Sequence, residues 1–112
     1  MPDPSATSGA LLTLCAVDDL APGAARRFDV GGLRIALVRI DDTFYAVGDR
    51  CSHEDFSLAD GEVWGPECEL ECAKHGSTFD LRTGRPCSLP ATTAVPVYEV
   101  VVEDDQVRVV TP

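Results

Sequence analysis

Apolar residues in this chain come in short runs whose spacing reads as strand. Leu33, Ile35 and Leu37 share one face of a segment spanning Leu33–Ile40, with Arg34 on the other, because successive side chains of a strand point to opposite faces. Similar runs cover Leu11–Val17, Arg26–Val30, Thr43–Val47, Val95–Val102 and Gln106–Val110. Gly31-Gly32 joins two of them as a hairpin signal, since glycine supplies the positive φ of a type I′ turn. Asp41-Asp42 and Asp104-Asp105 mark two further turns, and Asp18-Asp19 with Pro22-Gly23 marks a loop. No window of about a dozen residues carries the apolar period of a helix. The pattern predicts an all-β fold of roughly eight to ten short strands, a small antiparallel sandwich or barrel with a loop-rich insert.

The insert begins at Gly48, where the pattern changes. As far as Phe79 the chain is rich in Cys, Asp, Glu and Gly, with only short apolar runs such as Val63-Trp64. Thr78–Leu81 reads as a short strand closed by Thr83-Gly84. Loops carried by a rigid sheet are where sites tend to lie. Here they hold two compact pairs, Cys51-Ser52-His53 and Cys72-Ala73-Lys74-His75, and His53 and His75 are the only histidines in the sequence. Each pair brings one sulfur and one nitrogen to a common point. Gly61, Gly65 and Pro66 supply the turns that fold the intervening segment back. Two thiolates and two imidazoles suit a tetrahedral structural zinc. They equally suit a binuclear [2Fe–2S] cluster, with cysteines on one iron and histidines on the other. Composition alone does not separate the two.

Length and charge narrow the function classes. With 112 residues the chain reads as one domain, residues 11–112, with the metal-binding insert at roughly 48–91 and a Pro/Ser/Gly-rich flexible arm at residues 1–10. A net charge of −10 repels DNA and RNA and favours a basic patch on a protein partner. The first residues show no secretory signal, and no stretch approaches the roughly 20 apolar residues of a membrane helix, so a cytoplasmic protein is expected. Five cysteines, an odd number, argue for metal binding over a disulfide framework.

The residues around the pairs carry a resemblance. Cys51-Ser52-His53-Glu54-Asp55, then Cys72-Ala73-Lys74-His75-Gly76-Ser77-Thr78-Phe79-Asp80, Leu81-Arg82-Thr83-Gly84-Arg85-Pro86 and Leu89-Pro90-Ala91 resemble the Rieske ferredoxins over nearly the whole chain from about Leu11. That resemblance implies a Rieske-like fold and one [2Fe–2S] cluster per chain, with Cys51 and Cys72 on the inner iron and His53 and His75 on the outer one. It gives Ser77 the role of hydrogen-bond donor to the cluster. It has Gly76 admit the backbone close to the cluster, and Pro90 belong to a third loop that covers it. With two thiolates and two neutral imidazoles the oxidised site is formally neutral, so it accepts an electron more readily than a four-thiolate site. The high-potential members carry a further cysteine in each loop and a Tyr near the cluster. Phe56, Lys74 and Phe79 stand at those positions, which implies no loop disulfide and a potential towards the lower end of roughly −150 to +300 mV. Cys15, Cys68 and Cys87 are expected as core or spare thiols, Cys68 on a strand before the second loop. Trp64 is expected to pack the insert, and Glu54 and Asp55 to place negative charge near the outer iron.

By this resemblance the protein is a monomeric one-electron carrier and not itself an enzyme. It would take electrons from a flavin-dependent ferredoxin reductase and pass them to a terminal oxygenase, such as an aromatic-ring-hydroxylating dioxygenase. No histidine is left over for an oxygenase iron site. The alternatives are a small subunit of a larger redox enzyme, of the nitrite-reductase small-subunit type, and a zinc-stabilised interaction module. If His75 binds the outer iron, His75→Cys lowers the reduction potential and weakens its pH dependence; a redox titration giving an unchanged potential contradicts the assignment.

Overall fold

The computed structural model describes residues 11–51, 57–74, 76–89, 91 and 93–110. Its strands in chain order are β1 (Leu11–Ala16), β2 (Ala25–Val30), β3 (Leu33–Ile40), β4 (Thr43–Gly48), β5 (Val63–Trp64), β6 (Glu69–Glu71), β7 (Thr78–Asp80), β8 (Val97–Glu103) and β9 (Gln106–Val110). Two single turns of 3₁₀ helix, Val17–Asp19 and Leu58–Asp60, are the only helical elements among the described residues.

The hairpins form where the turn chemistry calls for them. Gly31 and Gly32 lie at φ +56° and +79°, and β2 returns on β3 with Val30 opposite Leu33. Asp104 and Asp105 adopt +51° and +61° between β8 and β9, and Asp41 adopts +55° between β3 and β4. Aspartate tolerates this region better than most side chains. The result is a six-stranded antiparallel sheet in the order β1-β9-β8-β4-β3-β2. Its edge strands approach one another, curling the sheet into a near-barrel: Leu12 of β1 reaches to 2.9 Å from where a Cβ on Gly31 would stand.

β3 is buried on both faces, and this places the site. Ile35 and Leu37 enter the barrel core with Leu20, Phe44, Ala46, Val107 and Val109. Ala36 and Val38 face the other way, into a second core with Val47, Cys51, Leu58, Leu70, Cys72, Phe79, Leu81, Ala91 and Val95. Each fully buried Leu, Ile or Val contributes about 1.5–3 kcal/mol. The insert therefore rests on the barrel through an apolar face of its own and does not hang from it as a loop.

The insert is more regular than its composition suggests. β5, β6 and β7 form a three-stranded antiparallel sheet in that order; β6 is too short for alternation to register. Cys68 lies before this strand and not on it, ending a turn at φ +59° with its N–H on the Gly65 carbonyl at 3.0 Å. Cys87, expected in the core, is exposed. Pro86 pairs with Phe79 on the inner face, so alternation turns the next side chain outward. Cys15 is half-buried against the barrel core. Trp64 packs at the edge strand but leaves 41% of its surface exposed.

The turn after β7 is locked to the segment leading into β8. Gly84 (φ +76°) donates to the Asp80 carbonyl at 2.7 Å and accepts from the Val95 N–H at 2.8 Å, and a Cβ there would collide with the Val95 carbonyl oxygen. Gly84→Ala combines left-handed strain with that collision and destabilises the protein by about 2 kcal/mol or more. Denaturant unfolding followed by circular dichroism measures this; a wild-type midpoint contradicts it.

Candidate metal centre

The first loop leaves the barrel at the end of β4, where Gly48 packs its backbone on Pro96 and donates to the Pro96 carbonyl at 2.9 Å. The next residue, Asp49, is fully buried. Its Oδ2 accepts from the Ser57 hydroxyl at 2.6 Å and its Oδ1 from the Ala59 N–H at 2.8 Å. The Arg34 and Arg27 guanidiniums stand further off, at 3.7 and 3.8 Å. Its backbone is held as well: the N–H donates to the Arg34 carbonyl and the carbonyl accepts from Leu58 N–H at 2.6 Å. Arg50 pairs with Ser57. The loop carrying Cys51 is thus clasped at both ends around one carboxylate, and charge-assisted bonds of this kind contribute about 1.5–3 kcal/mol each.

The second loop leaves β6. Strand alternation turns Leu70 and Cys72 inward, both fully buried, and leaves Glu69 and Glu71 on the outer face. The Cys72 N–H donates to the Ser77 carbonyl at 2.7 Å and the Gly76 N–H to the Cys72 carbonyl at 2.8 Å. Gly76 adopts φ +75°, which closes this tight loop at no steric cost. A third segment is tied to the second loop. Ser88 Oγ accepts from Thr78 N–H at 3.0 Å, and Ala91 N–H donates to the buried Ser77 Oγ at 3.1 Å.

Cys51 and Cys72 meet in one apolar core although 20 residues separate them in sequence (52–71). Ser77 stands beside the second loop with its oxygen accepting from Ala91; among the described residues its O–H has no acceptor and remains available to a cofactor. His53, His75 and Pro90 lie outside the described residues, as do Glu54, Asp55 and Phe56. Two buried sulfurs and one buried hydroxyl suit the soft, thiolate-held side of an iron–sulfur cluster. Cys51, Cys68 and Cys72 do not gather into a metal-holding group among the described residues. Cys68 is instead engaged by Tyr45, whose hydroxyl is pushed above its ordinary pKa first by that hydrogen bond and then by burial. Burial, then the neighbouring Glu69, raises the Cys87 thiol pKa; burial, then Asp19, raises that of Cys15. Raised thiols are poor nucleophiles and poor ligands at neutral pH. Phe79 is fully buried in the insert core.

The sequence reading missed Asp49. Its only signal is an acidic residue directly after a strand, and neither the burial nor the donors are visible without the fold.

Residues 10–99 match the family described as the Rieske [2Fe-2S] domain. The chain is 40% identical over 99 residues, 88% of its length and 91% of the relative's, to "Ferredoxin CarAc" of Metapseudomonas resinovorans. Among solved structures it superposes on the ferredoxin of carbazole 1,9a-dioxygenase from Nocardioides aromaticivorans IC177 with a TM-score of 0.89, at 35% identity, covering 92% of this chain and 99% of the other. It also superposes on a ferredoxin chain in a complex of reduced oxygenase and oxidised ferredoxin of carbazole 1,9a-dioxygenase (TM-score 0.82, 40% identity, 89% and 92% covered).

Asp49→Ala leaves the Ser57 hydroxyl and the Ala59 N–H without their acceptor and Arg34 without its buried counter-charge. A loss of about 3–5 kcal/mol is expected, with less iron retained per chain. Unfolding of the metal-loaded variant at the wild-type midpoint contradicts this role.

Proposed function

The chain belongs to the Rieske [2Fe–2S] domain family, and from that membership we propose that it is a one-electron carrier, the ferredoxin component of an oxygenase system. Cys51 and Cys72 hold one iron, His53 and His75 the other, and Ser77 donates its hydroxyl hydrogen towards the cluster. The observation that carries this reading is the meeting of two loop cysteines in one buried apolar core. When bound, the cluster supplies a one-electron couple and nothing else.

The chain's own residues then do three things. Leu58, Leu70, Phe79, Leu81 and Ala91 exclude water from the two sulfurs, which keeps the site dry and strengthens every nearby dipole. Asp49 and the Cys72–Ser77 turn hold the two loops in place. Phe79 presents no hydroxyl, so one hydrogen bond that would stabilise added charge is lacking, and the potential falls towards the lower part of the Rieske range.

The donor is a flavin-dependent reductase. The acceptor is a terminal oxygenase, such as an aromatic-ring-hydroxylating dioxygenase. The relatives reported above are named as ferredoxins, two of them with a carbazole dioxygenase, which favours a separate carrier over a small subunit of a larger enzyme. Its place is the cytoplasm, as a monomer, and its net charge of −10 suits docking on a basic partner face and disfavours nucleic acid. Among the described residues no helix is long and apolar enough to cross a membrane.

Protein purified aerobically is expected to contain about two irons and two acid-labile sulfides per chain. Dithionite then gives a rhombic EPR signal whose average lies below the free-electron g value, and an oxidised aromatic-ring oxygenase reoxidises the reduced protein. One zinc per chain with no EPR signal overturns the cluster; a cluster that no such oxygenase reoxidises overturns the carrier role.

A further inference from the structure

On the outer face of the insert, opposite the buried sulfurs, one carboxylate is held in an unusual way. Glu71 precedes Cys72 and points away from it. Its Oε1 accepts from the Trp64 indole N–H at 2.7 Å. Its Oε2 lies 3.7 Å from where a Cβ on Gly76 would stand. The side chain therefore reaches from the edge strand β5, across β6, towards Gly76 in the turn that follows Cys72. Trp64 is among the few large apolar residues left exposed, and the indole N–H can only donate, so its natural partner is an acceptor such as a carboxylate.

The charge of Glu71 forms no ion pair among the described residues. Asp49 has Arg27 and Arg34 at 3.8 and 3.7 Å, and Asp80 has Arg82 at 3.2 Å. Among the described residues no cation pairs with Glu71, whose one strong contact is the neutral indole. A fixed negative charge beside the cluster turn opposes an added electron, and its half-exposed position makes the effect sensitive to salt.

We propose that Glu71, positioned by Trp64 against Gly76, is a fixed charge that lowers the reduction potential of the cluster. This rests on the cluster reading above and adds to it a pair of residues outside the ligand set. Neither residue touches the reacting atoms: Glu71 acts through its field, and Trp64 by holding Glu71 in place. A side chain at position 76 would be strained by φ +75°, and its Cβ would stand in ordinary contact with the Glu71 carboxylate, at 3.7 Å.

Redox titration of the cluster-loaded protein tests this, with EPR g values as the check that the ligands are unchanged. Glu71→Gln keeps the shape and still accepts from the indole, and its potential is expected to lie above that of the parent. Trp64→Phe keeps a ring at the edge and removes the N–H; the freed carboxylate swings into solvent and the potential rises by no more than in Glu71→Gln. The double variant matches Glu71→Gln alone, because Trp64 acts only through Glu71. Added salt raises the parent potential towards that of Glu71→Gln and moves the variant less. An unchanged potential in Glu71→Gln, or additive shifts in the double variant, overturns the proposal. Iron and sulfide in the parent protein test the cluster reading separately, so failure of one is not mistaken for failure of the other.

Discussion

A carboxylate with no exposed surface survives only where donors surround it, and Asp49 collects its donors from several separate parts of the chain. Arg27 comes from β2, Arg34 from β3, and Ser57 and Ala59 from the far end of the first loop. The short contacts are the hydrogen bonds from Ser57 and Ala59; the arginines, near the limit of an ion pair, supply counter-charge more than geometry. This single group converts the departure of the chain from β4 into a defined loop. Its side chain adds to the backbone bonds of Gly48 and Asp49 and to the Arg50–Ser57 bridge in fixing the start of the loop that carries Cys51.

The second loop solves the same problem mainly with backbone, helped by two serine hydroxyls. Two hydrogen bonds close Cys72–Ser77 into a turn, Gly76 supplies the conformation, and Ala91 reaches in to the Ser77 oxygen. The two loops thus differ in their electrostatics. The first is built around a negative charge that arginines offset; the second is flanked by a carboxylate that no described cation offsets. In a chain with 19 acidic and 9 basic side chains, the placement of the few arginines decides which carboxylates act at a distance and which are silent.

Much of this was legible before the fold was seen. The alternation of Leu33, Ile35 and Leu37, the glycine pair at 31–32 and the aspartate turns correctly set the main strands, because each is a local signal. The family was legible from the two Cys/His pairs and their flanks. What escaped was whatever depends on tertiary partners. β6 is three residues long and carries no period. Ala36 and Val38 share the face of β3 that Arg34 marks as polar, and only the packing of the insert shows that this face is buried too. Cys87 reads as a core residue by composition, yet the register of Pro86 against Phe79 turns it outward. Asp49 and Glu71 are two acids among many in the sequence; their different fates follow from which arginines and which indole the fold brings near.

The double-sided burial of β3 has a consequence for what holds each core together. The barrel core contains neither Cys51 nor Cys72, whereas the insert core contains both and leans on the reverse face of the same strand. The barrel core therefore closes without either sulfur, and a group held by both sulfurs would tie together the insert core alone.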